Sequence, residues 1–264
     1  MKNKLINLKE DKILKDNYDL FIDKIKELNN PISIKNGLLS EFMCYLYYTS
    51  LECEYRRIDK NLYPNKEDLL LFQERLGDYF IFPYNKGAFT IDVKNGHCFN
   101  QLPKLALDLE YRTKDCKPYY GTNIIREDNY GWFYRGSYGK IFVYFNDLNS
   151  KHMAFIIEDY ESFKNTIYQL GLVNKANMQV NKNKIDSFNK ELSVNAVEVA
   201  WNNKDKCKNT KFLSILLNEK IINSLGSDLT IVEFKYWGRL LPFNNIYFIF
   251  LILILGRIIV NENG

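Results

Sequence analysis

Residues 77–95, GDYFIFPYNKGAFTIDVKN, carry the side chains best suited to chemistry: Asp78, Asp92 and Lys94. Two short apolar runs, YFIF and FTIDV, flank PYNKG, the pattern of a β-hairpin turned by Pro, Asn and Gly. Side chains alternate faces along a strand, so Phe89, Ile91 and Val93 point one way and Thr90, Asp92 and Lys94 the other. With residues 83–87 as the loop, Phe82 pairs with Ala88, Phe80 with Thr90, and Asp78 with Asp92. Directly opposed side chains have Cβ atoms about 5 Å apart, and like charges there destabilise a sheet. A slip of one residue would instead turn Asp92 onto the apolar face. A divalent cation between the carboxylates resolves the conflict, since Mg2+ is commonly held by one or two carboxylates, with water and substrate phosphate completing its shell. Lys94 would then lie beside the metal, placed to orient or deprotonate a water or to stabilise charge on a phosphate. The plainer alternative is an exposed hairpin face whose Lys–Asp pair contributes about 0–1 kcal/mol.

Several elements must position that hairpin. Leu14, Leu20, Ile22, Ile25 and Leu28 form an amphipathic pattern within residues 1–30, predicting a helix that Pro31 closes. From 37 to 57 the chain reads GLLSEFMCYLYYTSLECEYRR, with Leu38, Phe42, Met43 and Leu46 at helical steps, predicting a core-facing helix that carries Glu41. NKEDLLLFQERL predicts a second, charged helix, and FNQLPKLALDLEYR a third that starts near Pro103. KIFVYFND and HMAFIIED read as strands, YESFKNTIYQLG as a helix stopped by Gly171, and LTIVEFKYW as a strand. Residues 174–210 are rich in Asn and Lys around a strand-like AVEVAW, and TKFLSILLNEKIINSLG predicts a helix. The expected class is therefore α/β, a mixed sheet flanked by helices, divided into residues 1–173 and an extension, 174–264, of unassigned role.

Asp78 followed by Asp92-Val93-Lys94, with thirteen residues between the aspartates and a Glu-bearing helix upstream, resembles the PD-(D/E)xK nucleases, the restriction-endonuclease-like superfamily. The resemblance covers roughly residues 37–160. It implies an αβββαβ core mapped onto the helix at 37–55, the hairpin, the helix near 103–111 and the strand at 141–146, with C-terminal additions. It also implies Asp78 and Asp92 as metal ligands, Glu41 as a further ligand or water-binding carboxylate, and Lys94 as the lysine that assists the water. The implied cofactor is Mg2+ or Mn2+ and the implied activity is endonucleolytic hydrolysis of DNA, as in a type II restriction enzyme or a mobile-element or repair nuclease. A homodimer would suit that activity. A non-catalytic DNA-binding or assembly module on a decayed nuclease fold is the alternative. Gly77 stands where the family carries proline before the first aspartate. A second acidic string, Asp228 with Glu233-Phe234-Lys235, is too tightly spaced for a hairpin and reads as a strand with solvated charges.

Composition sets the outer bounds. An apolar share of 46% supports a buried core, and a net charge of +4 permits a nucleic-acid partner without demanding one. Basic and aromatic residues interleave through residues 111–140, where Arg112, Lys114, Lys117, Arg126 and Arg135 could meet phosphates; a loop-rich surface is the plainer account. The cysteines Cys44, Cys53, Cys98, Cys116 and Cys207 form no CxxC pair, and with only His97 and His152 beside them zinc spacing is absent. Their odd number and a polar N-terminus without a signal peptide lead us to expect reduced thiols in a cytoplasmic protein. The apolar run at 246–260 falls short of the about 20 residues a membrane-spanning helix needs, so membrane contact there is a minor alternative to burial.

Overall fold

A computed structural model describes residues 2–7, 12–99, 102–113, 130–148, 151–205, 208–226 and 228–235. Among these the N-terminal half runs β1 (Lys2–Asn7), α1 (Lys12–Lys26), α2 (Ile32–Thr49), β2 (Glu54–Arg57), α3 (Lys66–Leu76), β3 (Tyr79–Phe82), β4 (Phe89–Asn95), β5 (His97–Phe99) and β6 (Leu102–Thr113). The remainder is α4 (Trp132–Arg135), β7 (Lys140–Leu148), β8 (Lys151–Ile157), α5 (Tyr160–Gln169), α6 (Lys182–Leu192), β9 (Val197–Asp205), β10 (Lys208–Leu216), α7 (Glu219–Leu225) and β11 (Leu229–Lys235).

The strands build two sheets. The larger has the order β1-β11-β8-β7-β4-β3-β2 and is mixed, with β1–β11 and β4–β7 parallel and the other pairs antiparallel. The smaller, β5-β6-β10-β9, is antiparallel throughout. The period-two rule explains how the larger sheet is covered. Along β7, Ile141, Val143 and Phe145 enter one apolar cluster while Phe142 and Tyr144 enter another. Neighbouring β8 splits the same way, Phe155 and Ile157 against Ala154 and Ile156. Central strands buried on both faces read as continuous apolar runs, as KIFVYF and HMAFII do.

Helices α1 and α2 cover one face. Phe21 of α1 stacks on Phe42 of α2 with ring centroids 3.7 Å apart, and Met43, Leu46 and Tyr47 press onto Ile91, Phe142 and Ile156. The opposite face meets α4, α5, α7 and the second sheet, through Trp132, Phe163, Ile221, Leu107 and Leu213. Ile185, Val197, Leu213, Ile215 and Leu229 thus share a core with Leu105, Ile141 and Tyr160. Between residues 173 and 235 the described chain packs into the same interior as the chain before it.

The mixed α/β class agrees with the sequence reading, but several elements differ. The helix expected near 103–111 is strand β6, because Leu105, Leu107 and Leu109 alternate inward on a two-residue period that outweighs the helix-start suggestion of Pro103. The predicted αβββαβ mapping loses its second helix at that point. Pro31 opens α2 rather than closing α1, and the chain from 54 to 57 leaves the expected helix to become β2. The helix expected over 210–226 divides into β10 and the shorter α7, which starts where the Asn218 side chain accepts from the Ile221 amide at 2.8 Å. Strand β1 and helix α6 were not expected. The run at 246–260 lies outside the described residues, among which no helix is long and apolar enough to cross a membrane.

Removing side chain from β10 should therefore weaken the whole unit. Leu213→Ala is expected to cost about 2–5 kcal/mol. Chemical denaturation followed by tryptophan fluorescence and by circular dichroism should show one shifted transition. Two separate transitions would indicate that the smaller sheet unfolds on its own.

Candidate active site

The hairpin forms in the expected register, with Tyr79 opposite Ile91, Phe80 opposite Thr90 and Ile81 opposite Phe89. Tyr79, Ile81 and Ile91 are buried beneath α2, which leaves Asp92 and Lys94 on the face covered by α4 and α5. One residue before the ladder, the Asp78 amide donates to Ile91 O at 2.9 Å and its carbonyl accepts from the Ile58 amide at 2.8 Å. Its carboxylate turns across the hairpin, where Oδ2 accepts from the Val93 amide at 2.7 Å. Asp78 is thereby fixed at the level of Asp92.

The close approach depends on Gly77. Its φ of +87° lies where side chains are rarely tolerated, and a Cβ there would stand 2.7 Å from Ile91 O and 2.8 Å from Asp92 Cα. Proline, which locks φ near about −65°, cannot adopt this conformation. Glycine at this position therefore has a local cause.

Asp92 keeps only 6% of its side chain exposed, and Lys94 Nζ lies 2.6 Å from its Oδ2. The angle of that contact is poor, so Oδ2 has no hydrogen bond of good geometry among the described residues. A buried carboxylate oxygen with spare lone pairs is costly unless a cation completes its shell. Burial pushes the Asp92 carboxyl up to about 7; Lys94 pulls against that shift and Asp78 adds to it. Lys94 shows the converse. Burial alone would lower it, but the Asp92 and Asp78 charges, with a smaller effect from Asp108, hold it above its ordinary value.

The second sheet and α4 finish the lysine's surroundings. The Lys94 ammonium sits 4.7 Å from the centroid of the Trp132 ring. Trp132 follows Gly131, whose amide donates to Leu109 O at 2.9 Å and which lies so close to the Asp108 carbonyl that a side chain would clash. Strand β6 thus brings both the indole and the Asp108 charge to the site. Neither residue was singled out from sequence, because β6 read as a helix.

Glu41 sits apart from this pair. Its Oε2 lies 3.0 Å from Arg57 Nη2 and accepts a hydrogen bond from the Tyr79 hydroxyl, whose ring belongs to the α2 side of the sheet. Burial raises the Glu41 pKa; Arg57 opposes that, Asp78 adds to it, and the Tyr79 hydrogen bond opposes it. Glu41 and Asp92 therefore both sense Asp78, but from opposite faces of the sheet. Among the described residues no three His, Cys, Asp or Glu side chains converge as a metal cage. Of the predicted residues, the structure brings Asp78, Asp92 and Lys94 together and places Glu41 against Arg57 and Tyr79.

Most of the basic and aromatic stretch at 111–140 lies outside the described residues. Lys114, Lys117 and Arg126 fall outside the described residues, as do the side chains of Arg112 and His97, while Arg135 is paired with Glu74 at 2.6 Å. No family model, curated protein or solved structure matches the chain.

Two measurements probe this geometry. The native state holds the Asp92 proton up to about pH 7, whereas an unfolded aspartate loses it near about pH 3.9. Between those values stability should fall as pH rises, by about 1.4 kcal/mol per pH unit from this group. Asp92→Asn is expected to flatten that slope in metal-free thermal melts, and an unchanged slope would contradict the environment described. Gly77→Ala is expected to destabilise by about 1–3 kcal/mol through backbone strain, more if the clash with Asp92 is not relieved. Equilibrium unfolding reads that loss.

Proposed function

We propose that the protein is a metal-dependent nuclease that hydrolyses DNA phosphodiester bonds at the Asp78–Asp92–Lys94 site. One observation carries this reading. Two carboxylates from adjacent strands are pressed together, the deeper one has an unsatisfied oxygen, and an ammonium stands against it. Structural ion pairs rarely need the second carboxylate, since like charges side by side oppose folding. Nuclease chemistry does need it.

The donor set suits a hard divalent cation. Asp78 and Asp92 would hold Mg2+ or Mn2+, with water and phosphate oxygen as the remaining ligands. Once bound, such an ion polarises a phosphoryl oxygen and acidifies a coordinated water. The chain's own groups account for the other requirements. Lys94, held between Asp92 and the Trp132 ring, presents its ammonium to the negative charge that builds on the phosphoryl oxygens. The Val93 amide keeps Asp78 aimed across the hairpin. Aromatic and aliphatic cover from Trp132 and its neighbours lowers the local dielectric, which strengthens each of these attractions. Water oxygen bonds to phosphorus and gives up a proton, the bond from phosphorus to the leaving sugar oxygen breaks, and that oxygen takes up a proton.

Plasmid and linear genomic DNA incubated with purified protein should be cut in MgCl2 or MnCl2 and left intact in chelator. Asp92→Ala and Lys94→Ala should each lower the rate by about 100-fold or more, in line with the loss of one preorganised electrostatic group. Salt-sensitive DNA binding that survives Asp92→Ala, without cleavage by any divalent metal, would instead indicate the non-catalytic binding module. Metal binding has its own readout. Excess MgCl2 should raise the melting temperature of the wild-type protein, by about 2.7 kcal/mol of stability at 100 times Kd. Asp92→Ala should abolish the shift.

A further inference from the structure

The proposed reaction leaves Arg57 without a task. This residue ends β2, the outermost strand of the larger sheet on the hairpin side, and pairs across the ladder with Tyr79. Its Nη2 lies 3.0 Å from Glu41 Oε2, and a third of the side chain stays open to solvent. The next residue, Ile58, donates its amide to the Asp78 carbonyl at 2.8 Å, and Arg57 faces Tyr79 across the ladder, so this end of β2 lies beside the aspartate that opens the site. A guanidinium offers five N–H donors in a planar fork, and the Glu41 contact engages it through a single nitrogen. Donors on the solvent-exposed part of the guanidinium can reach a second oxyanion. Glu41 also receives the Tyr79 hydroxyl, so Arg57 is not its sole support.

Arg135, by contrast, lies at 2.6 Å from Glu74, with 22% of its side chain exposed. Arg57 is the more open of the two, at 33%, and keeps a tether to Glu41. The tether limits the rotamer freedom lost on binding, and the fork matches the paired oxygens of a phosphate.

We infer that Arg57 is a substrate-binding residue that grips a DNA backbone phosphate next to Asp78, on the side of the sheet opposite Lys94. This rests on the nuclease reading above. In that arrangement Arg57 holds a backbone phosphate neighbouring the one that faces Lys94, and the two cations act on different phosphates.

The test is DNA binding rather than cleavage. Fluorescence anisotropy with a short labelled duplex, calcium replacing magnesium, gives Kd across about 50–200 mM salt for wild type, Arg57→Gln, Arg57→Lys and Glu41→Gln. Arg57→Gln is expected to bind about tenfold more weakly, the effect of one charge-assisted contact. Its plot of log K against log salt should be shallower by about 1. Arg57→Lys retains the charge and should keep the wild-type slope with an intermediate Kd. That variant also serves if Arg57→Gln folds poorly. Wild-type affinity and slope in Arg57→Gln would overturn the inference. So would an equal loss in Glu41→Gln, which would make Arg57 only a prop for the glutamate. A wild-type protein that cuts DNA while Arg57→Gln binds normally defeats this inference alone, whereas one that neither binds nor cuts defeats the nuclease reading with it.

Discussion

The meeting of Asp78 and Asp92 across the open end of the hairpin is the constraint around which the surrounding structure is arranged. Two carboxylates at this separation repel one another, and burying one of them adds a desolvation penalty. The fold contains a specific offset for each cost. The Val93 amide bonds Asp78, and Lys94 faces Asp92 at 2.6 Å. Gly77 lets the backbone come close enough for the two to meet at all. The offsets are incomplete, because Asp92 Oδ2 remains without a well-formed hydrogen bond.

The larger sheet acts as a partition through this cluster. On the α2 side lie Glu41, Arg57 and Tyr79, bound to one another. On the other side lie Asp92 and Lys94 under Trp132. Asp78 stands at the start of β3, where its charge reaches both groups. Such an arrangement puts opposite charges on each face and an acidic residue at the edge between them. The parallel pairing of β4 with β7 supplies rigidity, since Asp92 and Lys94 lie alongside Ile141 and Val143 in strands buried on both faces.

Much of this was legible along the chain. The hairpin, its register and its division into an apolar and a polar face followed from YFIF, PYNKG and FTIDVK, because turn chemistry and the two-residue period are local properties. Helix α2 was equally readable from its apolar spacing, although its termini were not. The misreadings came where two local signals competed. In PKLALDLEY the proline suggested a helix start while alternating leucines specified a strand, and pairing with β10 decided in favour of the strand. In TKFLSILL the same alternation was hidden by a following helical stretch, and β10 formed because β6 and β9 were there to accept its hydrogen bonds.

The residue types and spacing alone determined that Asp78, Asp92 and Lys94 could share one end of a hairpin, since the thirteen residues of strand and turn between the aspartates have few ways to close. Tertiary structure decided what surrounds them. Trp132 and Asp108 reach the lysine because the second sheet packs against the first, and Arg57 reaches Glu41 because β2 adds to the edge of β3 under α2. These partners lie 14 to 38 positions from the lysine and 16 from the glutamate in the chain, beyond the reach of any local period. Only the burial of apolar surface between distant segments brings such groups together, and that depends on the whole chain at once.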